Sequence, residues 1–183
     1  FSLDAAINEI VSPNDNICAS SIYPIVTLRN YGSNNLTSAD INYQLNGGAI
    51  QTYNWTGNLS SGQSEDIFLP NLSLNAGNYT FTAYSTNPNG STDQNPTNDQ
   101  QTSSFNIINN GQNIDVTILT DCYGDEITWS IVDDQGNTVS TGGPYTNVTG
   151  GQTNSVSVCI APGCYDFFIN DSYGDGMYGS QWN

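Results

Sequence analysis

The stretch Ile41-Asn-Tyr-Gln-Leu-Asn-Gly-Gly-Ala-Ile-Gln-Thr-Tyr-Asn-Trp55 decides the fold class of this chain. Ile41, Tyr43 and Leu45 alternate with polar residues, which is the period of a strand with one buried face. Asn46-Gly47-Gly48 follows, and these residue types tolerate the positive φ angles of a tight turn. The residues up to Trp55 complete the pair, so the stretch predicts a β-hairpin.

The same alternation recurs in five further segments of the first part of the chain. In one of them, Tyr79, Phe81 and Ala83 are predicted to point inward while the threonines between them face water. With the hairpin this makes about seven short strands separated by Pro, Asn and Gly, which is typical of an immunoglobulin-like β-sandwich. The polar run 87–98 is predicted to be a loop before the last strand. The five segments are 4–11, 22–30, 65–69, 77–85 and 102–108.

A second series of strands follows the polar run 109–113, which we predict to be a linker. The chain is therefore predicted to be all-β and to contain two consecutive β-sandwich domains, an immunoglobulin-like one over 1–108 and a small sandwich or jelly roll over 114–183. The strands of the second domain are predicted at 114–119, 127–132, 138–140, 156–160 and 165–169. Their inward sets are Val116/Ile118, Ile127/Trp129/Ile131, Val156/Val158/Ile160 and Tyr165/Phe167/Ile169.

Five strands leave an open sheet edge beside 165–169, because no further strand is evident before the sequence ends. We therefore expect the second domain to be truncated at its C-terminus and the parent polypeptide to continue. The run Asp133-Asp134-Gln-Gly136 is predicted to be a turn between two strands of this domain.

The charge balance limits the partners of the chain. It has 17 acidic residues, no His and a single basic side chain, Arg29, for a formal net charge of −16. Such a surface has nothing to neutralise phosphates, so nucleic-acid binding is excluded, and anionic membranes would repel it. A cation is the natural partner, although acidity that serves only solubility is the alternative. No apolar stretch is long enough to span a membrane.

Four cysteines favour an oxidising, extracellular compartment. Cys159 and Cys164 flank Ile-Ala-Pro-Gly, and a turn of that length would place them across a hairpin at bridging distance. A disulfide between these two is the preferred prediction. Cys18 and Cys122 are then free thiols or partners of each other, and a bond between Cys122 and one of the hairpin cysteines is a further alternative.

Two copies of Asp-x-Tyr-Gly-Asp carry the sharpest chemical signal, and each directly follows a predicted strand. They are Asp121-Cys-Tyr-Gly-Asp125, which Glu126 follows, and Asp171-Ser-Tyr-Gly-Asp175. Alternating Asp around a Gly aims oxygens at one point, as Ca²⁺ requires, and clustered carboxylates are costly without a cation. The alternative is that both copies are plain Asp-rich turns. The predicted Ca²⁺ ligands are Asp121, Asp125, Glu126, Asp171, Tyr173 and Asp175.

Catalysis finds little support in the residue types. Without His and Lys the common nucleophile–base systems are absent, so the chain is predicted not to be an enzyme. Paired carboxylates can hydrolyse glycosides, but here they sit at tight turns rather than in a cleft. Trp182 and the tyrosines near the turns are candidate platforms for stacking on sugars, against ordinary packing roles.

Several segments of the first part resemble a CARDB-like immunoglobulin module. They include Asp4-Ala-Ala-Ile-Asn-Glu-Ile-Val, Pro24-Ile-Val-Thr-Leu-Arg-Asn-Tyr-Gly32, the 41–46 strand, Trp55-Thr-Gly and the loop that runs from 87 to 99. The resemblance covers residues 1–108. It implies a module of secreted Bacteroidetes proteins, often placed beside metallopeptidase domains and sorted by type IX secretion.

The second half resembles a small β-sandwich module of the same kind of protein. The matching residues are Thr120-Asp121, Glu126, Trp129, Gly142 to Tyr145, Cys159 to Tyr165 and Asp171 to Gly176. Similar modules continue with Gly-rich and aromatic residues and a final strand, and they usually carry a small polar residue where Cys122 stands. The resemblance implies an accessory, adhesive or substrate-presenting role without catalysis.

These observations together predict a non-catalytic accessory or adhesion-type module pair of a larger secreted or cell-surface bacterial protein, stabilised by Ca²⁺. Its partners would be the rest of the parent polypeptide or neighbouring subunits, with extracellular polysaccharide as a further candidate. A structural subunit of an extracellular filament or surface appendage is the first alternative, because an open sheet edge suits strand donation between chains. A carbohydrate-binding module is the second.

Overall fold

The computed structural model describes residues 1–176, which are almost entirely β-strands and connecting turns. This confirms the all-β class. The chain divides into two compact units, Phe1–Asn109 and Asn110–Asn183. Helix in the described part is limited to single 3-10 turns at Pro88–Gly90 and Gly124–Glu126. None of these residues forms a helix long and apolar enough to cross a membrane. Trp182, the candidate sugar platform, lies outside the described residues.

The first unit contains the strands predicted from the alternation and three short additional ones. The predicted strand 22–30 is divided at Tyr23-Pro24, because Pro has no N–H to give to a sheet and Tyr23 is exposed. The strands are β1 (Ala5–Ser12), β2 (Asp15–Ile17), β3 (Ser21–Ile22), β4 (Ile25–Asn30), β5 (Leu36–Leu45), β6 (Gln51–Leu59), β7 (Ser64–Phe68), β8 (Leu72–Ser73), β9 (Gly77–Thr86) and β10 (Gln100–Ile107).

Two main sheets form the sandwich of the first unit. One has the order β1-β4-β7 and the other β2-β10-β9-β5-β6, and β3 pairs with β8 separately. The predicted hairpin is β5–β6, with Ile41 opposite Tyr53 and positive φ angles at Asn46 and Gly47. The core of the first unit lies between these sheets. It includes Ile41, Tyr43 and the inward residue Phe81 of β9, which are all buried.

The second unit is a smaller sandwich. Its strands are β11 (Gln112–Thr120), β12 (Ile127–Asp133), β13 (Thr138–Gly142), β14 (Gln152–Ile160) and β15 (Tyr165–Asp171). They form a two-stranded sheet, β11-β14, and a three-stranded sheet, β13-β12-β15. Between the sheets lies a core of Val116, Ile118, Ile127, Trp129, Ile131, Val158 and Ile160.

Strand β11 begins inside the segment predicted to be a linker. Gln112 and Asn113 pair with Ile160 and Cys159 of β14, so the sheet extends over two polar residues. The extension was not predicted because these two side chains are polar and give no apolar alternation. Backbone pairing does not depend on an apolar side chain. The predicted turn after β12 is present, and the N–H of Gly136 donates to the carbonyl of Asp133 at 3.0 Å.

The inward sets of β14 and β15 are only partly correct. Val156, Phe167 and Ile169 remain 43%, 49% and 42% exposed. Within the described part of the chain the opposing sheets have two and three strands, which is too narrow to cover residues near an edge. Within residues 1–176, β15 pairs with β12 on one side and with no strand on the other.

The predicted hairpin disulfide between Cys159 and Cys164 is wrong. Cys159 is disulfide-bonded and buried in β14, and Cys18 is disulfide-bonded as well. Cys164 and Cys122 are free and exposed. The physical reason is topological, because β14 and β15 belong to different sheets. The turn between them therefore crosses the sandwich and does not form a hairpin, so the two cysteines are not cross-strand neighbours.

Candidate metal centre

The two Asp-x-Tyr-Gly-Asp copies begin with the same turn, although only the first continues into a 3-10 turn, at Gly124–Glu126. The Oδ1 atom of Asp121, which follows β11, accepts the backbone N–H of Tyr123 at 2.8 Å. The Oδ1 atom of Asp171, which ends β15, accepts the backbone N–H of Tyr173 at 3.0 Å. Each Asp thus forms the turn two residues onward by hydrogen bonding to its own backbone, as Asp does at strand ends.

Asp171 organises its turn more fully than Asp121 does. Its Oδ1 also accepts the N–H of Gly174 at 2.9 Å, and its Oδ2 accepts the N–H of Gly176 at 2.7 Å. Gly174 and Gly176 have positive φ angles, which bring these N–H groups around the carboxylate. The hydrogen bonds, first that from Gly174, hold the pKa of Asp171 below its usual range.

Glu126 links the two copies. It ends the 3-10 turn before β12, and its carbonyl accepts the N–H of Ser172 at 3.0 Å. The first pair of the β12–β15 ladder is Ile127 opposite Asp171, so the turn after β15 lies directly beside the residue before β12. This backbone arrangement brings carboxylate oxygens of Glu126, Asp171 and Asp175 within 4.8 Å of one another.

The cluster is electrostatically unfavourable on its own. The pKa of Glu126 is raised, first by partial removal from water and then by the negative charges of Asp175, Asp171, Asp125 and Asp121. The only basic side chain of the sequence is Arg29, which lies in the first unit. All five predicted carboxylates therefore interact, but only three of them are close enough to share one ion.

Asp121, Asp125 and Tyr173 remain outside this group of three. The backbone N–H of Asp125 donates to Oδ1 of Asn147 at 3.0 Å, and the side chain of Tyr173 is 79% exposed. The predicted six-residue ligand set stays a prediction. Its core of three carboxylates is what the geometry brings together.

The loop after β13 supports the site and was missed from the sequence. Besides the contact of Asn147, the N–H of Tyr145 donates to the carbonyl of Gly124 at 2.9 Å. A Cβ at Gly124 would lie 2.9 Å from the carbonyl oxygen of Thr146, so this glycine allows the close approach. Asn147 stands in a polar stretch with no periodicity, and only the resemblance to a known module around Gly142 to Tyr145 hinted at this loop.

The geometry suits a hard cation. Oxygen ligands of Ca²⁺ lie about 2.3–2.6 Å from the ion, so two ligands on opposite sides are at most about 5 Å apart. The oxygens of Glu126, Asp171 and Asp175 meet this condition. Carboxylates without sulfur or imidazole favour Ca²⁺ or Mg²⁺ over zinc.

The fold and the site define an all-β chain of two β-sandwich units, the second with a carboxylate cluster at its surface. One similar solved structure is the CARDB domain of a Pyrococcus furiosus protein, described as in complex with di-metal ions. It is 22% identical, covers 58% of this chain and 96% of that chain, and has a TM-score of 0.47. A solution NMR structure of the same domain is 18% identical, with coverages of 58% and 94% and a TM-score of 0.42.

Both structures are of a CARDB domain. Neither the fold nor a ligand or activity of this chain is argued from a likeness at this level. A Bacteroidetes origin, type IX secretion and the class of the second module have no counterpart in these matches. No protein-family model and no curated protein matches the chain.

Proposed function

We propose that this chain is a non-catalytic accessory segment of a larger secreted or cell-surface protein, and that Ca²⁺ stabilises its second unit. The observation that carries the proposal is the convergence of Glu126, Asp171 and Asp175 within 4.8 Å, in a sequence whose one basic side chain lies in the other unit. Three like charges at this distance lower the stability of the folded unit, and a bound cation would offset their repulsion.

Calcium fits this site better than magnesium for a geometric reason. Two carboxylate oxygens of Asp171 already accept N–H groups, so the ligands have fixed and irregular directions. Ca²⁺ accepts six to eight oxygens in flexible geometry, whereas Mg²⁺ demands a near-ideal octahedron. The cluster lies at the surface, so water is available to complete the coordination.

A cation here would act on the architecture of the second unit. Asp171 and Asp175 belong to the end of β15, while Glu126 precedes β12. Binding would therefore fasten the end of an edge strand to its only partner among the described strands. A ligand that binds the folded state alone stabilises it by RT ln(1 + [L]/Kd), about 2.7 kcal/mol at a hundredfold excess over Kd.

Two features support the accessory role: the residue types that catalysis would need and the compartment that the disulfide bonding indicates. The carboxylates are committed to turns and to one another, and neither His nor Lys is present to activate a nucleophile. The disulfide bonding of Cys18 and Cys159 supports an oxidising location outside the cytosol. Adhesion or presentation of a neighbouring domain is the role we assign to such a pair of modules.

The test is thermal unfolding of the full chain in millimolar Ca²⁺, in Mg²⁺ and in EGTA. We expect Ca²⁺ to raise the Tm of the second unit and Mg²⁺ to raise it less. Glu126→Gln/Asp175→Asn should abolish the response. Asp115→Asn/Asp134→Asn, which removes the same charge from exposed positions elsewhere in this unit, should retain it. Identical curves for the wild type in Ca²⁺ and EGTA would show that the motifs are turns only.

A second candidate function is a filament subunit that pairs through β15. The free edge of this strand within residues 1–176, together with Phe167, Phe168 and Ile169 at 42–54% exposure, favours pairing with another copy. Light scattering after size exclusion tests it. Concentration-dependent assemblies that Ile169→Lys disperses would support the filament role, and a monomer at all concentrations would reject it.

A further inference from the structure

Asp99 is a buried acid in the first unit, and one of its carboxylate oxygens has no hydrogen-bond partner. The residue precedes β10 and is 7% exposed, and its Oδ1 atom is buried without a hydrogen-bond partner. Its backbone oxygen accepts the N–H groups of Ile7 in β1 and Ser85 in β9, each at 3.2 Å. Asp99 therefore stands where the loop before β10 meets strands of both main sheets.

Two other carboxylates surround this junction, and both have donors. Asp93 accepts the backbone N–H of Ala5 at 2.8 Å and that of Asn95 at 2.7 Å. Asp4, which is 4% exposed, accepts the side-chain amides of Asn98 at 3.0 Å and Asn95 at 3.3 Å. The carboxylates of Asp93 and Asp4 thus have hydrogen-bond donors. The buried Oδ1 of Asp99 has none.

Burial, followed by the charges of Asp93 and Asp4, raises the pKa of Asp99 to about 7. These two acidic groups are the charges that act on it, one from its own loop and one from the segment before β1. Strand β9 contributes Ser85 at this point, whose hydroxyl donates to the carbonyl of Ala5 and does not titrate. No basic group offsets the charges of Asp93 and Asp4. Binding a proton is therefore the way of neutralising Asp99 that costs the least free energy.

We propose that the carboxyl group of Asp99 is a proton-operated latch of the first unit. With the proton bound, the loop 93–99 stays packed against the start of β1 and against β9. Loss of the proton places a third negative charge in the buried junction and loosens it. The latch belongs to the first unit and is independent of the cation site proposed for the second.

The direction of the pH effect follows from linkage. A carboxyl whose pKa is higher in the folded state binds the proton more tightly there than in the unfolded chain. Its contribution to stability is therefore greatest in acid and is lost as the pH rises from about 4 to about 7. Since the chain has no His, few other side chains change charge between pH 5 and 8, which leaves the effect visible.

Hydrogen exchange of the full chain, corrected for intrinsic rates, tests the latch. We expect the protection of amides 7 and 85 to fall as the pH rises from 5 to about 7, by at most about tenfold per pH unit for one proton, and to level off above that pH. Asp99→Asn, which is neutral at every pH, should hold protection constant. The exposed substitution Asp115→Asn should behave like the wild type. Equal pH dependence in the wild type and Asp99→Asn would overturn the proposal.

A second measurement needs no variant and covers the case in which Asp99→Asn folds poorly. Carboxyl ¹³C chemical shifts of the wild type report the ionisation of individual acids. A titration midpoint of Asp99 near 7, accompanied by shift changes at Ile7 and Ser85, supports the latch. A midpoint near 4, the ordinary range of Asp, overturns it.

Discussion

The backbone N–H of Ser172 donates to the backbone oxygen of Glu126 over 3.0 Å. This one bond joins the turn after β15 to the turn before β12, and so it unites two motifs that are distant in sequence. Because the link is made by the backbone, the position of the Glu126 carboxylate depends on strand pairing more than on side-chain charge. Folding of the sandwich thus brings the carboxylates of Glu126, Asp171 and Asp175 together.

Asp171→Ala should destabilise the second unit even in EGTA. Asp171 accepts the N–H groups of Tyr173, Gly174 and Gly176, and these would lose their acceptor. Denaturant unfolding in EGTA measures the effect. Glu126→Gln/Asp175→Asn is the comparison, because neither residue forms the turn in this way and their loss relieves repulsion. An Asp171→Ala variant as stable as the wild type in EGTA would contradict the structural role of this carboxylate.

Asn30→Ala should cost the first unit about 1–3 kcal/mol, the penalty for leaving buried groups without partners. Asn30 is 1% exposed, its amide donates to the carbonyls of Asn34 and Leu59 at 2.8 Å each, and its Oδ1 accepts the N–H of Gly32 at 2.9 Å. Asn30→Asp should cost more, since a carboxylate would face two carbonyl oxygens. Urea unfolding measures both.

The exposed substitution Asn35→Ala is the control for Asn30, because its side chain bonds only at the surface, to Asn58. We expect its midpoint of unfolding to stay close to that of the wild type. A cost for Asn35→Ala equal to that for Asn30→Ala would mean that burial of the amide is not what matters.

Local pattern was sufficient for the hairpin β5–β6 and for most strands, because alternation and turn residues are properties of neighbouring positions. Local pattern failed for features that depend on which distant segments pair. Cys159 and Cys164 are close in sequence, yet the strands that carry them belong to different sheets. The environment of Asp99 depends on Asp4, at the other end of the unit, and no local pattern signals it.

The unreduced, folded chain should carry two alkylatable thiols, at Cys122 and Cys164. Both are free and exposed, whereas Cys18 and Cys159 are disulfide-bonded. Native labelling with iodoacetamide, followed by peptide mapping, locates the modified residues. The double variant Cys122→Ser/Cys164→Ser should take up no label and should melt like the wild type. Protection of Cys164 together with labelling of Cys18 would restore the hairpin disulfide.

Gly142→Ala should destabilise the second unit by about 1–3 kcal/mol through overpacking. A Cβ at this position would overlap the indole ring of Trp129, which is 3% exposed and lies in the core. Displacing the ring would also stretch the 2.6 Å hydrogen bond from its Nε1 to the hydroxyl of Tyr145. Urea unfolding followed by tryptophan fluorescence measures the loss.

Gly163→Ala is the matched control for Gly142→Ala, because its Cβ would meet Tyr165 at an ordinary 3.4 Å. A second comparison uses Trp129→Phe, whose smaller ring lacks the indole atoms that the new Cβ would meet. Gly142→Ala should therefore cost less in the Trp129→Phe background than in the wild type. Additive losses in this double-mutant cycle would show that the two residues are not in steric conflict, and that Gly142 is required for another reason.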